Sequence, residues 1–208
     1  MFITFEGPEG SGKTTQYKRI IEAMQAAGYD VVATREPGGT SIAEQIRDIL
    51  LNRLDNTEMV GRAEALLFSA SRAQHVDELI RPALAEGKTV LCDRFYDSTL
   101  AYQGYGHGLD VVQLKQITTF ATDGLKPDLT IYLDCPPEVG LKRKVSNHVE
   151  WNRLDDMDLN FHRRVYEGFK ALIEEEPERW VIIDATQEPD HVYSQIISAL
   201  QLRGFKLD

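Results

Sequence analysis

Lys13 and Thr14 close the run Gly7-Pro8-Glu9-Gly10-Ser11-Gly12-Lys13-Thr14. The four fixed positions of the phosphate-binding loop, Gly7, Gly12, Lys13 and Thr14, are all present at their required spacing. An apolar run, Phe2-Ile3-Thr4-Phe5, precedes the loop and a helical pattern follows it. Glycines let successive backbone N–H groups turn inward around phosphate oxygens, and the helix N-terminus behind them adds partial positive charge. A lysine at position 13 reaches β- and γ-phosphates, and a threonine hydroxyl at position 14 ligates Mg²⁺. The expected ligand is a nucleoside triphosphate.

Other residues extend that chemistry. Asp93 ends the apolar run Thr89-Val90-Leu91-Cys92, where such proteins place an acidic group near the metal. Arg94 follows it, where ATP-driven motors carry a water-activating glutamate; this favours transfer to an acceptor over hydrolysis. Arg35, Arg47, Arg72, Arg94, Arg143 and Arg153 are candidates for a cationic site, because a guanidinium grips phosphate with two parallel donors. The loop itself has no arginine at Pro8, Glu9, Gly10 or Ser11, so another segment must bring charge to the γ-phosphate. The stretch from about 141 to 155, basic at Lys142-Arg143-Lys144 and acidic at Asp155-Asp156, is the expected lid.

These groups need a frame. Five short apolar runs read as buried strands: Phe2–Phe5, Val31–Thr34, Thr89–Cys92, Leu129–Leu133 and Trp180–Ile183. Helical patterns separate them, which predicts an α/β fold: a parallel five-stranded sheet in a three-layer sandwich, with ligands outside the carboxyl ends of the strands. Gly28 is expected to cap the first helix. Ala63–Ala85 reads as one long helix, with Pro82 a kink point, and its apolar residues cover more than one face. Glu174-Glu175-Glu176 reads as a solvated helix end.

With 208 residues, 42% of them hydrophobic, the chain suits one domain spanning 1–208. A net charge of −10 argues against nucleic acid or an anionic membrane as partner. Cys92 and Cys135 are expected to be buried free thiols, and no His is assigned a ligand role. The chain enters its first strand directly, and no apolar run is long enough to span a membrane. The expected location is therefore the cytoplasm.

Seven segments occur together in order: Glu6-Gly7-Pro8-Glu9-Gly10-Ser11-Gly12-Lys13-Thr14, Arg35-Glu36-Pro37-Gly38-Gly39, Ser71-Arg72-Ala73-Gln74-His75, Asp93-Arg94-Phe95, Ala101-Tyr102-Gln103-Gly104, Asp123-Gly124-Leu125-Lys126-Pro127-Asp128 and Asn152-Arg153-Leu154-Asp155. From Met1 to about Leu200 the chain resembles the bacterial thymidylate kinases. The resemblance implies transfer of the γ-phosphoryl group of ATP to dTMP, with Mg²⁺, in dTTP biosynthesis. It implies that Gly7 through Thr14 and Thr15 bind ATP, and that Thr14 and Asp93 serve the metal. Phe68 would stack on thymine, Arg72 would bond its O4 edge, and Gln103 would approach from another side. Tyr102 would pack under the deoxyribose and leave no room for a 2′-hydroxyl. Arg47 and Arg94 would hold the dTMP phosphate, with Glu36, Pro37 and Ser98 at the same site. Glu9 would lie near the 3′-hydroxyl and the reacting phosphates. Arg143 and Arg153 would belong to the lid, with Arg143 on the ATP side. Lys13, Arg94, Glu9, Arg143 and Arg153 form the implied catalytic set, in a homodimer built through long helices.

Two other readings share part of this pattern. Another small-acceptor kinase would use the same loop and the same strand-end Asp, but the Phe68, Arg72, Tyr102 and Gln103 set points to thymine on a deoxy sugar. A GTP-dependent switch would carry an Asn-Lys-x-Asp motif, which this chain lacks.

Overall fold

The computed structural model describes residues 1–51, 59–146 and 153–207, apart from the side chains of Arg153 and Asp155. Its five strands are β1 (Phe2–Glu6), β2 (Val31–Arg35), β3 (Thr89–Asp93), β4 (Leu129–Asp134) and β5 (Trp180–Asp184). Every expected strand is present, and each runs one residue further, onto a charged side chain. That extra residue still pairs in the ladder: Arg35 lies opposite Asp93, and Asp134 opposite Asp184. Hydrophobic patterning stops at the last apolar residue, whereas hydrogen bonding continues to the site.

All strand pairs are parallel, in the order β2-β3-β1-β4-β5. The chain moves to one side of β1 to form β3 and β2, and to the other to form β4 and β5. This leaves a crevice at the carboxyl end of β1, where such sheets bind ligands. Alternate residues serve two cores. Ile3, Phe5, Leu91, Ile131 and Leu133 pack with Ile20 and Met24 of α1 (Lys13–Ala26) and Ile196 and Leu200 of α9 (Pro189–Leu202). Phe2, Val90, Cys92, Tyr132 and Trp180 face the other way, towards Phe95, Tyr102, Phe161 and Phe169.

That second layer holds α2 (Ser41–Leu51), α3 (Gly61–His75), α4 (Arg81–Ala85), α5 (Tyr96–Thr99), α6 (Val111–Thr122) and α8 (Leu159–Glu175). The long helix expected over 63–85 is interrupted by a π-helical stretch, Val76–Ile80, just before Pro82. Pro82 has no N–H for the carbonyl four residues back, and its ring crowds that carbonyl, so the turn widens ahead of it. A second π-helical stretch, Leu100–Gly106, carries Tyr102 and Gln103. Glu175 and Glu176 are not simply solvated: they pair with Lys115 and Lys126. Cys92 and Cys135 are buried free thiols.

α7 (Pro137–Ser146) touches the glycine loop backbone to backbone. A Cβ on Gly140 would lie 2.0 Å from the Glu9 carbonyl oxygen, and one on Gly10 would lie 1.9 Å from the Gly140 oxygen. Replacing a helical glycine by alanine ordinarily stabilises a helix by about 1 kcal/mol. Here the methyl must push α7 off the loop, and Gly140→Ala is expected to lower stability by about 1–3 kcal/mol. Urea unfolding checks the sign, and a raised midpoint would refute the close contact.

Candidate active site

The glycine loop joins β1 to α1, with Gly12 at the helix N-cap and φ positive at Gly7, Gly10 and Gly12 (150°, 69° and 82°). Side chains other than hydrogen are strained in those conformations, so glycine is required for the backbone to curl. Pro8 through Thr15 line a cavity of about 480 Å³. Its far wall is the segment Ala185–Pro189 after β5, with Arg143 and Lys144 of α7 beside it. Asp184 shapes that wall by accepting from Thr186 N and Oγ1 and from Gln187 Nε2, which hold its carboxyl down at about 2.

A second cavity, of about 220 Å³, opens on the other side of the loop. Glu36, Pro37, Arg47, Phe68, Arg72, Asp93, Arg94, Ser98, Tyr102 and Gln103 all line it, gathered from six different segments. Glu9, Lys13 and Thr14 line both cavities, so the two spaces meet at these three residues. Gly7 lines neither; its carbonyl accepts from Arg94 Nη1 at 3.1 Å.

The meeting point is a charge cluster. Arg94 Nη2 donates to Glu9 Oε1 at 2.8 Å, and the Tyr102 hydroxyl donates to the same oxygen at 3.0 Å. Lys144 Nζ lies 3.5 Å from Glu9 Oε2, and Lys13 Nζ lies 3.2 Å from Asp93 Oδ1. Burial alone would raise the Glu9 carboxyl, but Arg94, Lys13 and Lys144 overcome it and hold the group at about 2. Burial pushes the Tyr102 phenol well above its ordinary value, so it remains a donor.

Arg94 occupies the left-handed region at φ 69°, unusual for a residue with a side chain. Glu6, buried at the end of β1, holds the turn: its carboxylate accepts from Phe95 N at 2.8 Å and from Ser98 Oγ at 2.6 Å. Ser98 Oγ in turn accepts from Arg94 Nη1 at 3.1 Å. Burial, then the charge of Asp97, raises the Glu6 pKa to about 7, against the pull of Arg94 and the two hydrogen bonds. Asp97 itself makes a bidentate pair with Arg179 at 2.8 and 2.9 Å.

Arg72 is almost fully buried. It donates to Glu36 Oε2 at 2.7 Å, Thr99 Oγ1 at 3.0 Å and the Phe95 carbonyl at 3.3 Å, while Nη1 is left without a partner among the described residues. Gln103 Nε2 donates to buried Glu64 at 2.6 Å, and Arg47 Nη1 donates to the Pro37 carbonyl at 2.7 Å. Arg35 also lines this cavity, with its Nη2 paired to Glu44 at 2.9 Å.

The lid residues divide. Residues 141–146 belong to α7, residues 147–152 lie outside the described residues, and Arg153 opens the short 3-10 turn Arg153–Asp156 with its side chain outside the description. Arg143 is not at the charge cluster; it donates to the Ala185 and Thr186 carbonyls at 2.6 and 3.0 Å. Lys144 is at the cluster, one helical turn beyond Gly140, whose contact with the loop points this face inward. The sequence left open which of Lys142, Arg143 and Lys144 turns to the phosphates, and it assigned no role to Gly140, Glu6, Glu64 or His75. The four-residue spacing of Gly140 and Lys144 was the available signal; the others are buried polar groups with distant partners.

The oxygen donors fit a hard divalent cation. Asp93 Oδ1 is buried and faces the Lys13 ammonium at 3.2 Å without a hydrogen bond of good geometry, and Thr14 stands beside Lys13 at the junction of the cavities.

Comparison with known proteins bears on what this site handles. The family model described as thymidylate kinase matches residues 5–196. The thymidylate kinase of Bacillus pumilus (strain SAFR-032) is 52% identical over 202 residues, covering 97% of this chain and 95% of its own. That of Clostridium novyi (strain NT) is 52% identical over 196 residues, covering 94% and 95%. A crystal structure of thymidylate kinase from Ehrlichia chaffeensis has a TM-score of 0.78 at 35% identity, covering 97% of this chain and 98% of that one.

Glu6 supplies a test of the site's electrostatics. A carboxyl raised from 4.5 to about 7 binds protons more tightly in the folded chain, so its contribution to stability falls as pH rises through that window. Glu6→Gln removes this titration. Denaturation at about pH 5 and about pH 8 should show the variant losing less stability than the parent over the interval; identical pH dependence would mean Glu6 ionises as it does in water.

Proposed function

The chain belongs to the thymidylate kinase family and transfers a phosphoryl group from ATP to dTMP, and we propose that its two cavities divide these substrates across Glu9, Lys13 and Thr14. The observation that carries this reading is the sharing of those three residues by two otherwise separate spaces. The larger cavity, lined by the glycine loop, takes the triphosphate; the smaller takes the monophosphate. The reading treats 1–208 as a single kinase domain.

In the proposed mechanism Lys13 and the loop amides hold the β- and γ-phosphates, and Arg47 and Arg94 hold the acceptor phosphate. A dTMP phosphate oxygen forms a bond to the γ-phosphorus while the bond to the β,γ-bridging oxygen breaks. ADP leaves with that electron pair. The phosphate oxygen is an adequate nucleophile, so no protein base is needed. The protein's work is positioning and charge: two anions must approach, and Lys13, Arg94 and Lys144 offset their repulsion. Glu9 is in place to accept from the sugar 3′-hydroxyl, and Tyr102, tied to Glu9, closes the space beside the ring. Phe68 stacks on the base, Arg72 directs Nη1 to O4, and Gln103, braced by Glu64, faces another edge.

Mg²⁺ would be held through Thr14 and Asp93, where it would neutralise phosphate charge. Lys144 takes the role of the cation nearest the reacting phosphates, and Arg143 that of a brace at the nucleoside end of the ATP cavity. Arg153 belongs to the lid in this reading. Closure over both substrates would exclude water and suppress hydrolysis.

The assembly is proposed to be a homodimer. Ile42 and Ile49 of α2, Leu66 of α3 and Phe120 of α6 are all at least half exposed, on helices that pack side by side. Such apolar surface on neighbouring helices favours a protein partner. No helix among the described residues is long and apolar enough to cross a membrane. Cytoplasmic residence is proposed from the two buried free thiols, which suit a reducing compartment.

ADP formation from ATP–Mg²⁺ with separate acceptors tests the acceptor assignment. Strong turnover with dTMP, weaker turnover with dUMP and little with the ribose form is expected; preference for thymidine or a purine nucleotide would overturn it. Lys13→Ala and Arg94→Ala should each lower kcat by about 100-fold or more. Lys144→Ala should reduce kcat more than Arg143→Ala, which should mainly raise KM for ATP. Phe120→Asp should shift the mass measured by light scattering from two copies to one; an unchanged mass would place the interface elsewhere.

A further inference from the structure

His75 has no place in the mechanism above, yet it is among the most enclosed polar residues of the chain, at 0% exposure. It does not line the substrate cavity. Its ring joins two groups from the end of β2: Nδ1 lies 3.1 Å from Glu36 Oε1, and Nε2 lies 2.7 Å from Thr34 Oγ1. The other Glu36 oxygen receives Arg72 Nε at 2.7 Å. Thr34, His75, Glu36 and Arg72 therefore form one buried line that ends at the free Nη1 of Arg72. Gly39 lets the ring stand there, because a Cβ at that position would fall 2.6 Å from the imidazole.

The donor inventory orders the protons. A carboxylate only accepts, so Nδ1 carries the hydrogen that meets Glu36, and in a neutral ring Nε2 then accepts from the Thr34 hydroxyl. Glu36 then has one N–H on each oxygen, which fixes the plane of its carboxylate. That plane fixes the guanidinium through Nε, with Thr99 and the Phe95 carbonyl holding Nη2. An unbraced carboxylate could rotate and let Nη1 swing. A donor of fixed direction is what distinguishes a pyrimidine O4, which accepts, from a cytosine amino group, which donates. Rejection by an unpaired buried donor is strong only where the donor cannot turn away.

We propose that His75 is a positioning residue for acceptor choice, acting through Glu36 to hold Arg72 Nη1 on the O4 edge of the base. This rests on the reading of Arg72 as the group that bonds O4. It makes pyrimidine selectivity a property of four residues, of which His75 and Thr34 never touch the substrate.

The test compares kcat/KM for dTMP and for dCMP in the full-length enzyme. His75→Leu removes the donor with similar bulk, whereas His75→Asn keeps an N–H close to the Nδ1 position. The leucine variant should lower the dTMP:dCMP ratio by about tenfold, the scale on which outer partners of an orienting hydrogen bond act. It should do so mainly through KM for dTMP, with kcat at saturation within about threefold of the parent. The asparagine variant should recover most of the ratio, an outcome that general loosening of the fold would not produce. An unchanged ratio in folded His75→Leu, or no recovery in His75→Asn, overturns the proposal. Arg72→Gln separates the two layers: if it leaves the ratio unchanged, the O4 reading falls and the His75 role with it; if it collapses the ratio while His75→Leu does not, the His75 role alone falls. Should His75→Leu not fold, Thr34→Val decides, since it releases Nε2 with little change of shape. A fall of about threefold supports the brace, and an unchanged ratio overturns it.

Discussion

The site depends on one arrangement: a carboxylate, Glu9, at the centre of a cluster of cations where two cavities meet. Arg94, Lys13 and Lys144 come from three separate elements and act on the same acidic group. Without an anion between them, their mutual repulsion in a partly buried space would oppose folding. Glu9 therefore lets this concentration of positive charge exist in the folded chain. The same cations hold its carboxyl low, against the burial that pushes it up.

Holding Arg94 against this cluster requires a backbone conformation that a side chain disfavours, and the surroundings over-determine it. Glu6 takes the next N–H and the Ser98 hydroxyl; Arg179 takes Asp97; Arg72 takes Thr99 and the Phe95 carbonyl. The four-residue helix α5 is thus tied down on three sides by charged groups. Strain of this kind persists only where such restraints exceed its cost. The same ties connect Arg94 to Arg72 within one cavity, because the two flank one short segment. If they hold the phosphate and the base as proposed, selectivity for the base and alignment of the phosphate would not be independent.

Close backbone approach is the other constraint. Gly140 and Gly10 bring α7 onto the glycine loop at distances that exclude a Cβ, and this approach turns Lys144 inward and leaves Arg143 for the loop after β5. Among three adjacent basic residues, helix rotation alone selects which one meets Glu9. Charge composition could not have made that choice.

The strands and the phosphate loop were readable because their signals are local. Strands of a sheet covered on both faces are continuous apolar runs, and the loop needs glycines at set spacing for positive φ. The reading stopped one residue short at every strand because Glu6, Arg35, Asp93, Asp134 and Asp184 break the apolar run while staying in the ladder. Family motifs supplied the acceptor residues, and these line one cavity; Arg143, expected on the ATP side, lines the larger cavity, while Lys144 is the neighbouring basic residue that meets Glu9. Glu6, Glu64 and His75 were not readable, since a buried polar residue looks like any surface one until its partner is known. By itself, then, the sequence determined the sheet, the loop and the inventory of charges. Tertiary structure alone decided which charges meet, as with Arg94 and Glu9, 85 positions apart. Coulomb and hydrogen-bond energies depend on distances and angles that only packing sets.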